Sequence, residues 1–239
     1  MTGYAIRFTF HALAQNGSIF GFRNTMEQLS DDQLRQVFDS KDNYGFGVLH
    51  RAVEGGCLEL VELILDKGAD INSTMDGVDP HGWTPLHFAA FYDNVPMIKL
   101  LVRKGADIDW HDDDTMSPLK TAISRENRLS AGALIRLGAD VHVRDASNYS
   151  LLHEAANIGS VPIAKMLIGA GLPVDLVADD ESTPLCWAAG NNNVGVGRLL
   201  IRSGADVNFV GRYGLSPMLI AMKFGRTEMI AILRKNGAK

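Results

Sequence analysis

The strings Gly138-Ala139-Asp140, Gly171-Leu172-Pro173, Gly204-Ala205-Asp206 and Gly237-Ala238-Lys239 begin 33 residues apart. A second series keeps the same period ahead of them: Thr84-Pro85-Leu86, Ser117-Pro118-Leu119, Ser150-Leu151-Leu152, Thr183-Pro184-Leu185 and Ser216-Pro217-Met218. The earliest members, Gly47-Val48-Leu49-His50 and Gly68-Ala69-Asp70, stand 37 residues before their successors, so one unit carries four extra residues between Asp70 and Trp83. A fixed period of this size implies a solenoid, in which each unit buries its apolar face only against its neighbours. One elongated domain is therefore expected rather than two compact ones.

The unit from Thr84 to Asp107 shows how each copy builds itself. Thr84 can cap a short helix with Pro85 in its first position, where a missing N–H costs nothing. Leu86, Ala89 and Ala90 make a narrow apolar stripe that lets adjacent units approach closely. Asp93-Asn94 breaks this inner helix, and Val95-Pro96 opens a second, in which Ile98, Leu100, Leu101 and Val102 recur at helical spacing. Gly105 suits a left-handed helix stop, and the polar residues up to Thr115 form a projecting, hairpin-like loop.

These units resemble ankyrin repeats, on the strength of Gly82-Trp83-Thr84-Pro85-Leu86-His87-Phe88-Ala89-Ala90 and Gly204-Ala205-Asp206-Val207-Asn208. The resemblance covers about residues 44 to 239. It implies an all-α solenoid of six repeats, each a pair of antiparallel helices with a projecting β-turn loop. Lys120, Cys186 and Leu219 stand where the family has His, and Leu151 where it has Pro. Such changes weaken caps or local hydrogen bonds without altering the period.

Residues 1–43 precede the six-repeat domain of 44–239. Phe10-His11-Ala12-Leu13-Ala14 resembles Leu49-His50-Arg51-Ala52-Val53, so residues 8 to 28 read as a degenerate capping unit. Ser30-Asp31-Asp32-Gln33 is a capping box feeding a short helix through Leu34, Val37 and Phe38. At the other end Met229, Ile230 and Leu233 read as exposed apolar residues on which copies could associate. Cys57 and Cys186 occupy apolar repeat positions and read as buried free thiols, as suits a reducing compartment. No cleavable export signal or membrane span is expected, which makes a cytoplasmic or otherwise intracellular location the default.

Little here reads as chemistry. His50, His87 and His153 share one repeat position, but successive copies should lie about 10 Å apart, too far to share a metal. Each is expected to bond to its own loop backbone. Ser150 and His153 lie near Asp145, yet Ser150 is the helix cap of the repeated motif and His153 its structural partner. The run Asp112-Asp113-Asp114 lacks the alternating ligands, central Gly and terminal Glu of a calcium loop. No enzyme activity, cofactor or metal is expected, and the net charge of -5 argues against nucleic acid.

The resemblance implies instead a protein-binding surface on the concave face and loop tips. Phe88, Phe91, Tyr92 and Trp187 put aromatics on inner helices where small or polar residues would suffice, and Arg125, Ile158 and Phe224 share that face. Asp112, Asp113, Asp114, Asp179 and Asp180 would line up as an acidic stripe at the loop tips, with Trp110 and Tyr213 along it. The expected partner is another protein, with a basic surface that this field would steer. Recruiting or blocking such a partner is the expected role. A self-associating scaffold or an effector aimed at a host factor are the alternatives, and a monomer is expected.

Overall fold

A computed structural model describes residues 3–76, 82–112, 114–211 and 213–239. Among them the chain forms fifteen helices, in two compact units divided after Thr121. The first unit contains α1 (Gly3–Gln15), α2 (Ile19–Met26), α3 (Asp31–Phe38), α4 (Val48–Glu54), α5 (Leu58–Asp66), α6 (Pro85–Phe91) and α7 (Val95–Arg103). Helix α8 (Pro118–Ser124) contains the division. The second unit continues with α9 (Arg128–Arg136), α10 (Leu151–Ile158), α11 (Val161–Gly169), α12 (Pro184–Gly190), α13 (Val194–Arg202), α14 (Pro217–Lys223) and α15 (Thr227–Lys235). From α4 onward these are six pairs of a short inner and a slightly longer outer helix.

Within each unit, like stacks on like. In the first, α1 packs on α4, α4 on α6 and α5 on α7. In the second, α10, α12 and α14 form one layer while α9, α11, α13 and α15 form the other. The apolar stripe read from the sequence is the core: Leu86, Ala89, Ala90, Ile98 and Leu101 are fully buried. Gly68, Gly105, Gly138, Gly171, Gly204 and Gly237 end the outer helices with φ between 88° and 98°, a left-handed backbone that any other residue would strain. Among the described residues no helix is long and apolar enough to cross a membrane.

The repeated histidines tie successive copies together. His87 Nε2 donates to the carbonyl of Met116 at 2.9 Å, and His153 Nε2 to that of Ser182 at 3.2 Å. A carbonyl can only accept, so Nε2 carries the proton and Nδ1 is the acceptor. Nδ1 of His87 receives the Thr84 backbone N–H at 3.1 Å and that of His153 the Ser150 N–H at 3.1 Å. The expected bond of each histidine to its own loop is present: the carbonyl ends the loop that closes the histidine's own unit and leads into the next repeat.

The loops themselves turn on aspartates. Asp42, Asp112 and Asp145 each accept two backbone N–H groups through Oδ1, from residues two and four positions ahead. Their own N–H groups donate to the carbonyls of Phe46, Met116 and Tyr149. Each carboxylate thus closes its loop from within.

At the N-terminal end, Ser30 and Gln33 form the expected capping box at the start of α3. His11 Nε2 lies 3.0 Å from the carbonyl of Phe46, mirroring the forward bond of the later histidines. At the other end the expectation is overturned. Met229 and Leu233 are fully buried and Ile230 half-buried; Met229 lies against Gly197 of α13, where a Cβ would come within 2.8 Å of its Cε. The exposed apolar side chains belong to α14: Leu219 is 48% and Met222 52% exposed. Cys186 is buried, and burial pushes its thiol pKa up, but Cys57 at the start of α5 is only half-buried.

Candidate functional site

A groove of about 300 Å³ opens on the inner-helix face of the second unit, between α12 and α14. Thr183 caps α12 with Pro184 in its first turn, so the acidic loop Asp180–Ser182 stands immediately ahead of the helix and Trp187 one turn inside it. Ile220 of α14 and Gly190 line the groove, and Tyr213, Phe224 and Arg226 border it. Gly190 occupies the repeat position that holds Phe91 in the second repeat, and a Cβ there would already approach Ile220 Cγ2 to 3.3 Å. The groove exists partly because that side chain is missing.

A chain of hydrogen bonds holds its aromatic wall. Trp187 Nε1 donates to Ser182 Oγ at 2.9 Å, Ser182 Oγ donates to Asp180 Oδ1 at 2.6 Å, and the Tyr149 hydroxyl donates to Asp180 Oδ2 at 2.8 Å. The rings of Tyr149 and Trp187 meet edge to face at 5.2 Å. Partial burial would raise the Asp180 pKa, but the bonds from Ser182 and Tyr149 outweigh it and hold the carboxyl below its ordinary value. Burial and the bond to Asp180 push the Tyr149 phenol up to about 12. At neutral pH the loop therefore carries a fixed negative charge beside a fixed indole.

The first unit builds a different surface. Glu54 on α4 accepts from Arg51 at 2.7 Å, from Gln15 of α1 at 3.3 Å and from the Tyr92 hydroxyl at 3.3 Å. Arg51 also holds Asp42 at 2.6 Å and lays its guanidinium 3.8 Å from the centre of the Phe46 ring. Next to this network Phe8 and Tyr44 stand exposed around a smaller cleft of about 210 Å³.

The sequence-derived candidates separate into several groups. Asp180, Trp187, Tyr213 and Phe224 come together at the groove. Asp179 is exposed beside it, its backbone N–H bonded to the Ser147 carbonyl, and Ile158 is half-buried at the end of α10. Phe91 and Tyr92 lie in the first unit, Phe91 half-buried against Trp83 and Tyr92 half exposed. Trp110 is half-buried there, while Asp114 and Arg125 are exposed. Asp113 lies outside the described residues. Phe88 is corrected: it is only 4% exposed, enclosed by Phe46, His50 and Trp83, and belongs to the core. Asp112 is also more than a surface charge, since its Oδ2 accepts from Trp83 Nε1 at 2.9 Å.

Sequence reasoning missed Tyr149, Ser182, Leu215 and Arg226. Tyr149, Ser182 and Leu215 share the position just before the helix cap, where the better-matching copy has Trp83. A bulky or hydroxyl residue recurring there was a usable signal. Among the described residues no three His, Cys, Asp or Glu side chains are grouped to hold a metal ion.

Comparison with known families gives two matches. A model of ankyrin repeats in many copies matches residues 49–102, and one of ankyrin repeats in three copies matches residues 152–239. No curated protein matches the chain. The two matched segments cover more than half of the 239 residues, and both are built of the same helix pairs closed by glycine stops, so the chain belongs to the ankyrin-repeat family.

Proposed function

We propose that this chain is a stoichiometric binder that recruits or blocks one partner protein, taking it on the inner helices and loop tips of the second unit. The ankyrin fold is a non-catalytic scaffold that mediates protein–protein interaction. What supports this particular surface is Trp187, whose indole is locked by Ser182 and Asp180 at the edge of an open groove. A pre-ordered aromatic loses little rotamer freedom on binding, which is why such residues dominate interface energetics. Exposed Tyr213 and Phe224 (76% and 54%) extend the contact, and Asp179 with Asp180 supplies a field that steers a partner presenting Lys or Arg. Phe91, Tyr92, Trp110, Asp114, Arg125 and Ile158 are proposed as secondary contacts.

The test is capture of a partner by the intact chain and by Trp187→Ala, with circular dichroism as the control for fold. Retention by the parent and loss by the variant are expected; equal retention by both would reject this surface. A second reading, self-association, draws on α14. Leu219 and Met222 are half exposed there, whereas His87, His153, Ala90, Ala156 and Ala189 at the same repeat positions are buried. Light scattering separates the two: a mass that stays near 26.0 kDa as concentration rises favours the monomeric binder, and a stable multiple favours assembly.

A further inference from the structure

The groove of the second unit is charged differently at its two ends. Asp180 and Glu181 stand at the N-terminal end of the inner helices, and Arg226 follows α14 at the C-terminal end. Arg226 Nε donates to the carbonyl of Gly190 at 2.9 Å, which anchors the guanidinium beside the groove and 5.8 Å from the centre of the Phe224 ring. Lys223 Nζ lies 5.7 Å from the same ring, so the basic end carries two cations. Between the ends, Trp187 and Ile220 supply the large apolar surface of the lining.

Both ends are built into the backbone. Glu181 takes φ of 57°, and the next loop passes so close that a Cβ on Gly211 would fall 2.6 Å from the Glu181 carbonyl oxygen. Only a glycine lets that loop lie against the acidic turn. The helices between the ends set the scale of their spacing. Both α12 and α14 have seven residues, or about 10 Å at the helical rise. An extended chain covers about 3.3 Å per residue, so three steps span the same length.

We propose that the groove binds an extended segment of the partner in which a basic and an acidic residue stand about three positions apart, with apolar residues between them. This rests on the reading that the second unit is the binding surface, and adds the chemistry of what it reads. The basic residue faces Asp180 and Glu181, the apolar pair covers Trp187 and Ile220, and the acidic residue reaches Arg226 and Lys223. A purely basic segment would satisfy one end and be repelled at the other.

The experiment uses blocked six-residue peptides and isothermal titration of the intact protein. The mixed pair is Gly-Arg-Leu-Leu-Glu-Gly and Gly-Glu-Leu-Leu-Arg-Gly, since either chain direction could suit the groove. The controls replace both charged residues by Arg, by Glu or by Gln. At least one mixed peptide should bind about tenfold more tightly than every control. Arg226→Glu should turn the preference toward the doubly basic peptide. Lys223→Glu, which leaves the Gly190 bond intact, should shift it the same way if the first variant folds poorly. Equal binding of the mixed and doubly basic peptides, or binding of none, would overturn the inference. The binding surface itself is judged separately, by whether Trp187→Ala still captures the full partner.

Discussion

His50 buries its Nδ1 nitrogen against Gly47, a residue with no hydroxyl to offer it, and that nitrogen has no hydrogen-bond partner. In the later copies the corresponding atoms of His87 and His153 lie 2.9 and 2.8 Å from the Thr84 and Ser150 hydroxyl oxygens. Gly47 has φ of -75° and ψ of 164°, close to those of Thr84, so a side chain fits the backbone. Gly47→Ser should therefore stabilise the protein by about 1 kcal/mol, from the new bond and from a less flexible unfolded chain. A new Cβ would sit 3.1 Å from His50 Nδ1, so the ring must yield slightly. Urea unfolding at neutral pH measures the balance, and a lower midpoint would mean that this crowding wins.

Acid should unfold the protein through these same histidines. Burial holds the pKa of His50 down at about 3 and that of His87 at about 4, against about 6.5 in an unfolded chain. Burial lowers that of His153 as well. Their stabilising contribution is complete above pH 6.5 and is lost as pH falls toward the folded values, by about 1.4 kcal/mol per unit per histidine. Denaturant midpoints measured between pH 7 and 4 should fall steadily, and His87→Gln should flatten the slope. A pH-independent midpoint across that range would contradict the assignment.

Neighbouring aspartates should respond unequally to neutralisation. Asp112 closes its loop through two backbone N–H groups and also accepts from Trp83 Nε1, so Asp112→Ala should cost about 1–3 kcal/mol. Asp114 is exposed, and Asp114→Ala should stay within about 0.5 kcal/mol of the parent. Thermal unfolding of the two variants side by side checks this contrast.

Phe88 and Tyr92 are one helical turn apart and should separate stability from binding. Phe88→Ala removes an enclosed ring and should cost about 3–5 kcal/mol. Tyr92→Ala removes a half-exposed ring and one hydrogen bond to Glu54, and should cost about 1 kcal/mol. Urea unfolding ranks the two. If Tyr92 proves as costly as Phe88, its ring contributes to the core far more than its exposure implies.

What the sequence determined by itself was everything that each repeat decides locally. Thr84 or Ser150 before a helix, Pro85 or Pro184 in its first turn, Ala89 and Leu101 on the apolar stripe and Gly105 after the last turn act over a few residues and recur every 33. Those short-range rules are the same in a peptide as in a folded chain, so fold class and helix boundaries were legible. Tertiary structure alone decided which helix side chains face solvent. Phe88 is enclosed because Phe46 and Trp83 lie against it, and Met229 because Gly197 leaves room, while Met222 is half exposed. The groove likewise depends on Gly190 facing Ile220, and on Tyr149 reaching Asp180 from 31 residues away. Exposure and partnership in a stack are set by the neighbouring repeat, and one repeat's own sequence does not contain its neighbour's side chains.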